Sequence, residues 1–293
     1  MPDRRTHRGP HPEDHRLFAA DVWPILRQAT ADLCWLLGRG YAEPSSLKLV
    51  GDRYNLLARQ RVAVARAACP QASLARRKAA EVGAEAVKDV DLWLDGYNVL
   101  TTIEAALSGG VLLLCCDGTL RDMASMHGSY RKVAETVPAM EMIGQFVAQL
   151  QPRQCRWYLD SPVSNSGRLK NLIEAIGRKH GWHWEVCLVA DPDPMLIGAE
   201  QRPSTAPGGP SQQGELPLSR WSLLPLTPVE PPVGEIWAGG QVCRGDRPSE
   251  QNRIVVATAD SAILDACGPW FNLARHIVAR YVPHATIVDL SGW

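Results

Sequence analysis

The chain has 293 residues, 45% of them hydrophobic, with 31 Lys and Arg against 31 Asp and Glu. That length carries one large domain or two modest ones around a sizeable core, and a net charge of zero favours no class of partner by itself. The eight cysteines include no CxxC pair, so neither a disulfide framework nor a zinc site is expected, and no apolar run approaches the roughly 18 residues of a membrane span.

The first fifteen residues, MPDRRTHRGPHPEDH, are Pro- and His-rich and are expected to be disordered. With no apolar core they do not form a signal peptide, so the expected compartment is the cytoplasm. Residues 16–89 read as a small helical module. LFAADVWPILRQATADLCWLLGRG ends at Gly38 and Gly40, which suit a helix stop. SSLKLVGDRYNLLARQRVAVARAAC reads as one further helix that stops at Pro70, and SLARRKAAEVGAEAV as a third. Between Ser45 and Ala80 eight cations (Lys48, Arg53, Arg59, Arg61, Arg66, Arg76, Arg77, Lys78) face one acid, Asp52. This is either a surface for a polyanion, with Arg53 and Arg59 touching RNA and Tyr54 stacking on a base, or a solvated helix face.

From residue 90 the pattern changes. DVDLWLDGYNV, VLLLCCDG, CRWYLDSP, WHWEVCLVAD, RIVVATAD and ATIVDLSG are six short apolar runs. TTIEAALSG, the long TLRDMASMHGSYRKVAETVPAMEMIGQFVAQL, SGRLKNLIEAIGRKHG and PWFNLARHIVARYV lie between them with helical periodicity. The alternation predicts an α/β domain, a mostly parallel sheet flanked by helices and preceded by the small all-α module. Residues 201–252, rich in Pro, Gly, Ser and Gln, interrupt this rhythm as a flexible insertion.

The apolar runs end on carboxylates: Asp95, Asp117, Asp160, Asp191 with Asp193, and Asp260, with Asp289 inside the last. Ligands of open parallel sheets bind outside the carboxyl ends of the strands. Several carboxylates gathered there need a counter-charge, and an all-oxygen set suits Mg²⁺ or Mn²⁺. Such a site suits phosphodiester hydrolysis. The plainer alternative is that each Asp caps the helix that follows it.

LDGYNVL, with Asp95 closing a strand and Asn98 three residues on, resembles the opening motif of the NYN branch of PIN-like ribonucleases. VVATADSAIL, with Asp260 and Ser261, resembles the late-strand motif of that superfamily, and WYLDSP and DPDPMLI resemble its middle strand and acidic helix start. The resemblance covers roughly residues 90–293 less the insertion, and it implies a PIN-like, Rossmannoid fold and a metal-dependent ribonuclease. Asp95 and Asp260 would then be metal ligands and catalytic, with Asp193 or Asp191 a third. Asp160 and Asp265 are further ligand candidates. Asn98 would steady the site or touch a phosphate, with Ser261 beside it. The superfamily often has an acid on a middle helix, for which Asp122, Glu135 and Glu141 are all candidates. SLKLVGDRYNLLARQRVAV, RDMASMHGSYRK and DSPVSNSGRLK further resemble an uncharacterised prokaryotic family that joins a helical domain of unknown function to this domain.

Two polar stretches are candidates for RNA backbone contacts. RDMASMHGSYRK carries Arg121, His127, Arg131 and Lys132, and DSPVSNSGRLK carries Ser164, Asn165, Arg168 and Lys170 just past a strand end. A cap with ordinary surface charge is the alternative. The DGTL of LCCDGTLRD is similar to the haloacid-dehalogenase phosphatase motif, but Cys115 stands where that motif needs its nucleophilic Asp. No P-loop or G-x-S-x-G is present, so no nucleotide cofactor is expected. The expected function is a Mg²⁺- or Mn²⁺-dependent ribonuclease. The alternative is a catalytically inactive PIN-like module that binds RNA or a protein.

Overall fold

The computed structural model describes residues 6–124, 130–199 and 253–292. His127 and the 201–252 insertion lie outside the described residues.

The N-terminal module is all helical: α1 (Asp14–Leu17), α2 (Trp23–Gly38), α3 (Glu43–Arg53), α4 (Ala58–Ala67) and α5 (Gln71–Ala80). Pro24 sits in the first turn of α2, where its missing N–H costs nothing. The second predicted helix is two. Asn55 adopts φ +51 and breaks the run between α3 and α4, a left-handed conformation that Asn tolerates better than most residues. The chain before the module is not uniformly loose. Arg8 is buried in an ion pair with the fully buried Glu104, and the Ala134 N–H donates to the Thr6 carbonyl at 3.0 Å.

The α/β part supplies β1 (Asp91–Asp95), α6 (Gly96–Leu107), β2 (Leu112–Leu114), β3 (Leu120–Asp122), α7 (Thr136–Leu150), β4 (Gln154–Asp160), α8 (Ser166–His180), β5 (Trp184–Val189), α9 (Asp193–Ile197), β6 (Ile254–Ala257), α10 (Ser261–Leu264), α11 (Leu273–Tyr281) and β7 (Ile287–Asp289). All six apolar runs are strands. Four form one all-parallel sheet in the order β5-β4-β1-β6, flanked by helices. In β1 the alternation is complete. Leu92 and Leu94 enter the core with Ile103 and Trp157, while Trp93 packs on the opposite face with Tyr158 and Val256. Both faces are covered, which is why the strand reads as a continuous apolar run.

The other strands form a second sheet, β3-β2-β7, with β2 parallel to β7 and antiparallel to β3. Here the prediction of a long helix after Asp117 is corrected. Residues 120–122 are a strand, and among the described residues of the stretch only Thr136–Leu150 is helical. Asp117-Gly118, with Gly118 at φ +81, makes a hairpin turn between β2 and β3. The module does not stand apart from this sheet. Leu26, Leu33, Val64 and Ala67 share one core with Val111, Leu113, Val288 and Leu290. Among the described residues no helix is long and apolar enough to cross a membrane.

Candidate functional site

The strand order sets where a ligand fits. From β1 the chain moves to β4 and β5 on one side, then returns to β6 on the other, so the crossovers diverge outside the carboxyl ends of β1 and β6. That switch point is where open parallel sheets bind ligands. A cleft of about 510 Å³ opens there, lined by Asp95, Asn98, Asp193, Asp260 and Ser261.

Asp95 is the last residue of β1, and α6 starts directly after it. Gly96 permits that abrupt change. A Cβ at this position would stand 2.6 Å from Leu159 Cδ2 and 2.8 Å from the Tyr158 carbonyl, so the helix start lies against β4. The half-buried Asp95 carboxylate accepts a hydrogen bond from the Thr258 hydroxyl at 2.8 Å. Asn98 Oδ1 accepts from the Ala259 N–H at 2.8 Å, which ties the first turn of α6 to the loop after β6. Asp260 caps α10 by accepting from the Ala262 and Ile263 N–H groups at 2.7 and 3.2 Å. The helix-cap alternative therefore holds for Asp260, and it still lines the cleft.

Electrostatics distinguishes this edge from a row of caps. Burial pushes the Asp95 carboxyl up to about 7, and the charges of Asp260 and Asp193 add to that rise. Asp193 is raised by burial and by Asp260, Asp191 and Asp160, and Asp160 is raised by burial and by Asp191. The buried Tyr97 hydroxyl, also at the cleft, has no hydrogen-bond partner among the described residues. Yet among the described residues no three acidic, histidine or cysteine side chains stand close enough to share one metal ion.

The remaining predicted residues are dispersed. Asp191 is exposed and accepts from the Asp193 N–H at 3.0 Å; Asp160 closes β4 outside the cleft lining. Asp265 turns away, paired with Arg77 at 2.8 Å and Arg76 at 2.9 Å. Arg121 lines the cleft as a strut, donating to the Ala259 carbonyl and to Asp117, both at 2.6 Å. Arg131 and the exposed Lys132 follow the undescribed residues 125–129 and do not line the cleft. Asn165, at φ +71, donates to the Tyr130 carbonyl at 2.9 Å, and the Ser164 carbonyl accepts from the Tyr130 N–H at 3.2 Å. Lys170 donates to the Val186 carbonyl at 2.5 Å and pairs with Glu174 at 2.9 Å, while Arg168 is exposed. Arg59 grips Asp14 at 2.5 and 2.9 Å, and Arg53 faces Asp32 at 3.6 Å. Seven of the eight module cations, all but Lys78, have an acid within 4.0 Å, so most of the local charge excess is neutralised internally.

Glu43 at the start of α3 and Thr101 and Thr102 on α6 also line the cleft without having been singled out, and Arg66 on α4, one of the eight module cations, lines it too. Of the three candidates for an additional acid, Asp122 is in the cleft, accepting from the Thr101 and Thr102 hydroxyls at 3.2 and 3.3 Å. Glu135 faces His7 at 2.6 Å, and Glu141 faces Lys179 at 3.4 Å. The threonines were readable. Asn98 and Thr102 are four apart on the helix that opens the site, so they share a face.

Beneath the cleft, two buried guanidiniums brace the loop carrying Asp260. Arg121 holds the Ala259 carbonyl, Arg77 holds the Ser261 carbonyl at 3.1 Å, and both pair with the buried Asp117. The aspartate of the DGT stretch is thus a structural anion.

Fold and site together define a parallel α/β protein with a carboxylate-lined cleft at its switch point, joined to a helical module. Residues 84–206 match the family described as a domain of unknown function (DUF5616), and residues 25–79 match the one described as a protein of unknown function (DUF434). The uncharacterized protein MJ0935 of Methanocaldococcus jannaschii is 27% identical over 177 residues, covering 60% of this chain and 84% of that protein. No solved structure matches.

Proposed function

We propose that the protein is a divalent-cation-dependent ribonuclease of the PIN-like type, acting at the cleft outside β1 and β6. The observation that carries this reading is the gathering of Asp95, Asp193 and Asp260 in one cleft outside the ends of β1 and β6, where the Asp95 carboxyl is pushed up to about 7. The two guanidiniums that line it, Arg66 and Arg121, are committed to backbone carbonyls. The donors are oxygens throughout, which fits Mg²⁺ or Mn²⁺ and not a soft metal. One or two of Asp95, Asp193 and Asp260 would bind the ion directly and the rest through retained waters, since Mg²⁺ commonly keeps several waters and binds through only one or two carboxylates. A bound ion would lower the pKa of a coordinated water and offset charge building on a phosphodiester. Asn98 and Thr258 tie the β1 and β6 ends together, and Asp122 with its two threonines lines the same cleft.

A binding module without catalysis is the second reading. It is favoured by the absence, among the described residues, of three carboxylates within reach of one ion, and by the use of Asp260 as a helix cap. The separating experiment is cleavage of a mixed RNA pool with Mn²⁺ or Mg²⁺, wild type beside Asp95→Asn and Asp260→Asn. Cutting by the wild type alone is expected. Equal behaviour of all three proteins would remove the nuclease reading.

A further inference from the structure

Six of the seven large apolar side chains left exposed among the described residues lie in the helical module, and two of them are aromatic: Trp35 at 58% and Tyr41 at 60%. Both belong to the stretch WLLGRGY at the end of α2. Arg39, one helical turn beyond Trp35, lays its guanidinium 4.2 Å from the centre of the indole ring. Tyr41 follows Gly40, which at φ +80 turns the chain out of the helix. Two residues later comes Glu43, which lines the cleft. A second aromatic–arginine pair stands on the neighbouring helix. Arg53 lies 5.4 Å from the Tyr54 ring, and the Tyr54 hydroxyl donates to Asp32, one turn before Trp35 on α2.

Aliphatic side chains alone would suit a protein partner. Exposed aromatic rings beside guanidinium planes, on a chain segment that runs into the cleft wall at Glu43, suit something else. Base faces stack on such rings and on arginine without regard to sequence, and the guanidiniums complement the backbone charge. We infer that Trp35, Arg39 and Tyr41 form a stacking platform for unpaired bases, so that the substrate is single-stranded nucleic acid entering the cleft past the end of α2. This rests on the ribonuclease reading for the identity of the cleft, but the platform is testable by binding alone. A duplex keeps its base faces stacked on one another and gains little from it.

The test measures binding of a short fluorescein-labelled RNA of mixed sequence, single-stranded or annealed to its complement. The protein is the full chain carrying Asp260→Asn, so that bound RNA stays intact. The single strand is expected to bind more tightly than the duplex. Trp35→Ala with Tyr41→Ala is expected to weaken single-strand binding by about tenfold or more, with the salt dependence unchanged because no phosphate contact is removed. Trp35→Phe with Tyr41→Phe is expected to retain the affinity, which separates lost stacking from lost folding. Unchanged affinity in the alanine variant, equal affinity for the duplex, or no RNA binding at all would overturn the platform. So would light scattering that shows a dimer split by the alanine pair with RNA affinity intact, since the face would then belong to a second copy. Cleavage by the wild type is scored separately. RNA bound through these aromatics but never cut removes the nuclease and leaves the platform. RNA cut equally by wild type and alanine variant does the reverse.

Discussion

Asp95 ionises only at a cost, since burial and two neighbouring carboxylates hold its pKa at about 7, against about 3.9 for an unperturbed Asp. The raised value fixes the sign of a pH effect. The folded state keeps a proton that the unfolded state has lost, so this contribution to stability is greatest below about pH 4 and is lost as pH rises through about 7. Melting temperatures of the metal-free protein should therefore fall between those limits, and Asp95→Asn should flatten that fall and leave the variant the more stable protein at pH 8. An identical pH profile for both would mean that Asp95 is not the strained group. The motif that contains it was legible as a strand end followed by a helix, because the apolar run and the Asp-Gly break are local. The role of Gly96 was not, since the atoms its missing Cβ would strike belong to β4, some sixty residues away.

At the scale of elements, the Asp-Gly of LCCDGTL illustrates how one local signal admits two readings. Followed by a helical-looking run it suggested a cap, whereas flanked by LLL and LRD it closes a hairpin. The strand reading wins because Leu112 and Leu113 are buried, and because β7 pairs with β2 from the far end of the chain. That pairing also separates Asp289 from the cleft and gives it to Arg27, at 3.0 Å. The hairpin then delivers Asp117 to Arg77 and Arg121, a charge arrangement formed by three separate elements and invisible in any one stretch. Removing Asp117 takes the ion-pair partner from the buried Arg121 and leaves Arg77 with Asp265 alone, so Asp117→Asn should destabilise the protein by about 3–5 kcal/mol in denaturant unfolding. The paired guanidiniums hold Asp117 below its ordinary carboxyl range. Its contribution is therefore complete above about pH 4 and lost as pH falls through the depressed value. Acid unfolding of the wild type should thus be steeper at low pH than that of the variant. A variant as stable as the wild type would show the triad to be replaceable.

For the whole molecule, the shared core of helices and small sheet explains why a sequence division at residue 89 describes pattern better than it describes stability. Leu26, Leu33 and Val64 cover Leu113, Val288 and Leu290. A chain that begins after α5 would expose that face and should aggregate or give no cooperative unfolding transition. Sharp, soluble two-state melting of such a fragment would show the core to be divisible. The same packing places Glu43 and Arg66 in the cleft wall, which no reading of the module in isolation reveals. It also consumes most of the module's positive charge in internal pairs, so the apparent basic surface at Ser45–Ala80 is largely a set of struts. The strand-end carboxylates were legible because a parallel sheet places strand ends along one edge. Strand order puts β1 beside β6 and so brings Asp95 and Asp260 together, Asp193 joins them from α9 beyond β5, and Asp160 and Asp191 stay outside the lining. Uptake of a divalent cation by this cleft is measured most directly by Mn²⁺ titration followed by electron paramagnetic resonance at neutral pH. Saturable binding to the wild type, lost or weakened at least tenfold in Asp95→Asn and in Asp260→Asn, is expected; a wild type that leaves millimolar Mn²⁺ free, or variants that bind as it does, would rule out a cation site in the cleft.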